Sequence, residues 1–188
     1  MTTIILSIFG WEQLKKIPLP AWKWVVFTGF FGTFFPSYLF AFAETVIDSS
    51  VAAVLNGMTP LFTLILGITV FGSELKWGKV IGVLIGFGGT LILVSNEFSI
   101  NTGSESWYAL LVVIAAFCYS INVNVIKHKL QGVSALGIAL GNFLAIVIPA
   151  IFILFLSDFP WLSIGSDSSV TNSLGYIFIL AFFGTAIA

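Results

Sequence analysis

From Ser49 to Phe71 the chain carries no ionisable side chain. A bilayer core of roughly 30 Å asks for about 20 apolar residues in a helix, and this run supplies them. A short polar turn, Gly72-Ser73-Glu74-Leu75-Lys76, leads into a second apolar run from Trp77 to Ser95. Helices that sit on a soluble core alternate apolar and polar faces, and neither of these does. The pair is therefore predicted to be a membrane hairpin. Asp48, Ser49 and Ser50 offer N-cap oxygens for its first helix. In its second helix Gly78, Gly82 and Gly86 repeat a GxxxG spacing, which lets a neighbouring helix approach closely.

The rest of the chain has the same character. Its residues are 59% hydrophobic and 8% charged, where a soluble domain has about 25% charged residues. Further spans are predicted at Trp22–Phe42, Trp107–Ile126, Ser134–Leu156 and Ser173–Ala188. The fold class is all-α, a polytopic helical membrane protein with about six complete or partial spans. Met1–Gly10 is apolar but too short to cross, and it lacks the basic start of a signal peptide. It reads as the end of a helix, and Ser173–Ala188 stops while still apolar, so the chain is expected to be a fragment at both ends.

Charge and chemistry exclude several functions. A net charge of −1 without a basic cluster argues against nucleic acid as a partner. A single cysteine, Cys118, allows neither an internal disulfide nor a cysteine-based zinc site. A membrane enzyme would need a cluster of His, Asp or Cys, and one histidine and one cysteine supply none. No catalytic residue, metal or cofactor is expected. All the basic residues are lysines, which offer point charges rather than bidentate clamps.

The lysines also predict orientation. Short cytoplasmic loops collect Lys and Arg. If residues 11–20 are cytoplasmic, then Lys15, Lys16, Lys23, Lys76, Lys79, Lys127 and Lys129 all fall inside. The outer loops then hold Glu44, Asp48, Glu97, Glu105, Asp158 and Asp167. Trp11, Trp22, Trp24, Trp77 and Trp107 lie near the predicted interfaces, as an aromatic belt does. On this topology Phe30-Phe31-Gly32-Thr33 recurs as Phe182-Phe183-Gly184-Thr185 with opposite direction. A chance match of common membrane residues is the alternative. Taken as a repeat, it has inverted topology, an architecture common among secondary transporters.

Ser49-Ser50-Val51-Ala52-Ala53-Val54-Leu55, Pro60-Leu61-Phe62-Thr63, Gly72-Ser73-Glu74-Leu75, Gly82 and the Gly88-Gly89 pair carry a family pattern. The sequence resembles the EamA-type domain of the drug/metabolite transporter superfamily. The resemblance implies a ten-helix fold of two inverted five-helix repeats. Residues 1–95 would be the later part of the first repeat, from the end of helix 2 through helices 3–5. Residues 96–188 would begin the second repeat, with helices 6–8. It also implies a bacterial plasma (inner) membrane, a lipid bilayer and a small-molecule substrate as partners, and secondary transport by alternating access. The substrates it suggests are amino acids, amino-acid-like metabolites and amphipathic drugs. A non-transporting membrane scaffold is the competing reading.

Candidate substrate contacts follow from residue types. Asn56, Thr59, Pro60, Thr63 and Gly67 share one face by their i, i+3, i+4 spacing, while Leu55, Phe62 and Ile65 point elsewhere. Pro60 has no N–H to return to the Asn56 carbonyl, so a free acceptor lies beside an amide. Ordinary helix packing is the alternative for this stripe. Tyr119 and Ser120 can reach a central cavity, and Asn142, beside Gly137 and Gly141, is either a substrate contact or interhelical glue. Asn122 and Asn124 are explained by headgroup solvation. Pro36 frees the Gly32 carbonyl and is expected to bend its helix. Glu74 is expected to pair with Lys76 or Lys79 or to cap the next helix, and His128 to be solvated between two lysines. No carboxylate or histidine lies mid-span, so proton coupling is absent or uses residues outside this stretch.

Overall fold

The computed structural model describes residues 11–94, 105–157 and 168–181. Residues 11–15 are helical, and a bend at Ile17-Pro18 leads into α1, Leu19–Gly29. A π-helical turn, Phe30–Phe34, joins α1 to α2, Phe35–Ala43. Then come α3, Ser49–Asn56; α4, Thr59–Thr69; and α5, Trp77–Val94. The last are α6, Glu105–Lys129; α7, Ala135–Leu156; and α8, Ser168–Ala181.

Leu19–Ala43, Ser49–Thr69, Trp107–Lys129 and Ala135–Leu156 are long and apolar enough to cross a membrane. With the shorter apolar helices they follow the spans read from the sequence, and the architecture is that of a polytopic helical membrane protein. The second copy of the Phe-Phe-Gly-Thr motif at residues 182–185, Met1–Gly10 and most of the polar loops at 96–106 and 157–172 lie outside the described residues.

The chain divides into two compact units, Met1–Gly29 with Gly132–Ala188, and Phe30–Gln131. In the first, α1 packs on α7. A Cβ built at Gly29 would stand 3.0 Å from the backbone oxygen of Asn142, so the two backbones touch there. The Asn142 amide nitrogen faces Thr28 Oγ1 at 2.9 Å and the Val25 carbonyl at 2.8 Å. That orientation pairs donors with acceptors, which the reverse does not. Asn142 thus bridges α7 to α1. Ser134 caps α7 by accepting from the Gly137 N–H at 3.1 Å, as N-cap serines do.

In the second unit α6 is the post against which α2, α3 and α4 pack. Ala43, Ile47, Val51, Ala52 and Val112 form a buried cluster, with Phe40, Leu55, Tyr108 and Leu111 around it. Asp48 occupies the N-cap position of α3 in extended conformation, but its side chain makes no cap hydrogen bond. The expected cap is thus positional only. Pro36 removes the N–H that would return to Gly32, and the ladder widens into the π-turn directly before it. There the Gly32 backbone lies against the Asn122 side chain, in the space a Cβ would fill.

Two expectations are corrected. Asn124 is buried, not headgroup-solvated; its Nδ2 donates to the Thr63 and Ser120 carbonyls, each at 3.0 Å. An amide in an apolar bundle must recover the hydrogen bonds that water supplied, and two carbonyls meet that need. Asn122 is likewise packed inward, with a buried Oδ1 that has no hydrogen-bond partner among the described residues. The glycines of α5 are the reverse case. A Cβ at Gly78, Gly82 or Gly86 would meet nothing within 4 Å, so no helix among the described residues uses the close-approach face.

Candidate functional site

The helical run that begins at Ser49 breaks at Gly57-Met58, near the middle of its span. Pro60 is the cause. It lacks the donor that would continue the ladder to Asn56, and it is tolerated in the first turn of the new helix α4. Short local bonds bridge the break, from the Gly57 N–H to the Ala53 carbonyl and from the Met58 N–H to the Leu55 carbonyl, each at 3.1 Å. The Thr59 hydroxyl donates to Asn56 Oδ1 at 3.2 Å, and Thr63 donates to the Thr59 carbonyl at 2.8 Å. The two Asn56 N–H donors take no partner among the described residues.

One wall of a cavity of about 900 Å³ is the face of α4 that carries Thr59, Pro60, Thr63 and Gly67. Opposite it, α6 contributes Val123, Asn124, Lys127 and His128. Gly82 and Val83 of α5, with Ser73, Glu74, Lys76 and Lys79 at one end, complete the lining. Pockets that hold small molecules are mostly apolar with a few placed polar groups, and the size falls in their usual range of about 300–1,000 Å³.

The charged end is ordered around Ser73. Gly72 turns the chain with φ of 63°, and the Ser73 N–H donates to the Gly67 carbonyl at 2.7 Å. The Ser73 hydroxyl is 3.1 Å from His128 Nε2 and accepts from Lys127 Nζ at 3.4 Å. The His128 ring stacks on Phe71 with centroids 5.2 Å apart. His128 is therefore half-buried and held, not solvated between its lysines. Glu74 is exposed and comes within ion-pair distance of neither Lys76 nor Lys79.

Of the residues singled out in the sequence, Thr59, Pro60 and Thr63 line the cavity, and Asn56 is tied to them through Thr59. Ser120 is fully buried and donates back to the Phe117 carbonyl at 2.7 Å, so its hydroxyl is spent on its own helix. Tyr119 packs against Phe40. Neither lines the cavity, and Asn142 serves the contact with α1. Asn124, Ser73, Lys127 and His128 belong to the lining but escaped the sequence reading. The four-residue interval from Asn124 to His128 was the available signal, since it sets both on one face of α6. Among the described residues no three His, Cys, Asp or Glu side chains converge as a metal site requires.

Searches of curated proteins and of solved structures give no match. The model of the EamA-like transporter family matches residues 1–95, half of the chain, including the broken helix, the turn at Gly72 and the glycine-rich α5. Those are the elements that build most of the cavity. With helices long and apolar enough to cross a membrane both within that segment and after it, the chain belongs to the EamA-like transporter family, a family of membrane transporters of the drug/metabolite type.

Proposed function

We propose that the protein is a secondary carrier for small metabolites or amphipathic compounds, amino-acid-like metabolites and drugs among them, working by alternating access. Substrate binds in the cavity beside the α3–α4 break. The observation that carries this reading is the break itself: it opens on Thr59 and Thr63, next to an amide whose two N–H donors have no partner among the described residues. Irregular backbone at membrane depth is tolerated where it lines a cavity or is buried in protein, and transporters use such breaks as binding sites. A polar solute leaving water must recover its hydrogen bonds, since each unmet one costs several kcal/mol in such a setting.

The lysine-bearing end of the cavity faces the cytoplasm on this reading, and residues 1–95 and 96–188 belong to two inverted repeats. The first is checked with single cysteines at Glu74 and His128 in a Cys118→Ser background. An impermeant maleimide is expected to leave both unlabelled from outside intact cells, and outside labelling would reverse the topology.

The carrier reading is tested by Asn56→Leu and Pro60→Ala, assayed for vesicle uptake of a panel of labelled metabolites and amphipathic drugs. Uptake is expected to fall at least tenfold, about 1.4 kcal/mol, with the melting temperature near wild type. Wild-type uptake in Asn56→Leu refutes the site. Loss of folding in step with loss of uptake leaves the residue a packing role alone.

A further inference from the structure

We infer that the cavity takes an organic anion with an apolar body, its charged group seated at the Lys76, Lys79 and Lys127 end. This rests on the cavity being the binding site and adds the substrate class. The lining beyond the lysines includes Pro60, Leu64, Ile68 and Val83, which suit an apolar body, and the cations lie at one end. Glu74, the acid on that rim, pairs with neither Lys76 nor Lys79 and leaves the rim positive.

The two groups of cations differ in a way that isolates their purpose. Lys127 and His128 lie in the last turn of α6, where the helix dipole favours positive charge. Their position needs no ligand to explain it. Lys76 and Lys79 lie at the start of α5, where the dipole disfavours cations, and the first turn of that helix carries no acid. Both pay an electrostatic cost that an anion in the cavity would reverse, because the helix N-terminus and the lysines then act together. A general attraction of lysines to the cytoplasmic membrane surface is the competing account, and it predicts no dependence on the cavity.

The experiment measures octanoate, octanol and octylamine binding by calorimetry. The protein sits in phosphatidylcholine nanodiscs, with empty nanodiscs subtracted. Octanoate is expected to bind at least tenfold more tightly than either analogue. Lys76→Gln/Lys79→Gln is expected to weaken it at least tenfold, Lys76→Arg/Lys79→Arg to restore it, and Lys15→Gln/Lys16→Gln, which are not in the cavity lining, to change nothing. Melting temperatures confirm that each variant is folded. Equal affinity for octanol, or no effect of the Lys76/Lys79 pair, overturns the inference.

Adding dioleoylphosphatidylglycerol separates the sources of the anion. Competition with octanoate that vanishes in the Gln pair identifies a lipid headgroup at the same lysines, and no competition identifies a free solute. Lysine-dependent octanoate binding, in a protein whose uptake ignores Asn56→Leu, upholds the anion site and refutes the substrate contact at the α3–α4 break. Uptake that needs Asn56, with octanoate binding indifferent to the lysines, does the reverse.

Discussion

Helices α5 and α6 belong to the same unit and differ in what holds their faces. Along α5 run Gly78, Gly82 and Gly86, the pattern that most invites a packed neighbour, and a Cβ at any of them meets nothing within 4 Å among the described residues. Helix α6 carries Asn122 and Asn124, bulky amides that look ill-suited to an apolar bundle, and it is the post on which three other helices pack. A glycine only permits contact; nothing is lost if no helix comes. A buried amide demands contact, because each unpaired N–H or C=O inside an apolar phase is costly. Demand, more than permission, fixes where helices sit in this unit.

The comparison can be broken most readily at Gly32. Gly32→Leu forces a side chain into the volume of Asn122 and is expected to destabilise the protein by about 3 kcal/mol. The check is thermal unfolding in detergent. Gly32→Ala should be milder and should recover in part when combined with Asn122→Ala, a cycle that reads the contact itself.

A smaller effect is expected from Asn124→Leu. It removes the bonds to the Thr63 and Ser120 carbonyls, at a cost of about 1 kcal/mol in the same unfolding assay. Because Gly67 stands 3.1 Å, by its built Cβ, from Asn124 Oδ1, Asn124→Leu also reshapes the cavity wall and should weaken uptake. Gly86→Leu is the opposite pole. Its stability is expected to stay within about 0.5 kcal/mol of wild type. A loss as large as that of Gly32→Leu would show that the glycine face of α5 is occupied, and would erase the contrast.

Much of the architecture was legible because a bilayer demands long uncharged runs, so Ser49–Phe71 and Ala135–Leu156 declare themselves. The stripe Thr59-Pro60-Thr63-Gly67 was legible for a second reason: proline disrupts a ladder predictably, and helical spacing groups its neighbours. Which partner an isolated polar residue chooses was not legible. Ser120 and Asn142 satisfy themselves on a nearby carbonyl or across a helix pair, whereas the Asn56 N–H groups have no partner among the described residues. That difference depends on which helix lies opposite, and no local pattern records it. His128 escaped for the same reason, since Ser73 and Phe71 reach it from another part of the chain.

The central claim is that the face of α4 bearing Thr63 borders a solute-filled cavity while the face bearing Ile65 does not. Single cysteines at Thr63 and Ile65, in a Cys118→Ser background and in lipid nanodiscs, test this through their reaction rates with a charged methanethiosulfonate. The thiolate that reacts forms only where water reaches it. Rapid modification of Thr63→Cys and little of Ile65→Cys are expected. Equal rates at the two positions, or a faster rate at Ile65, would contradict it.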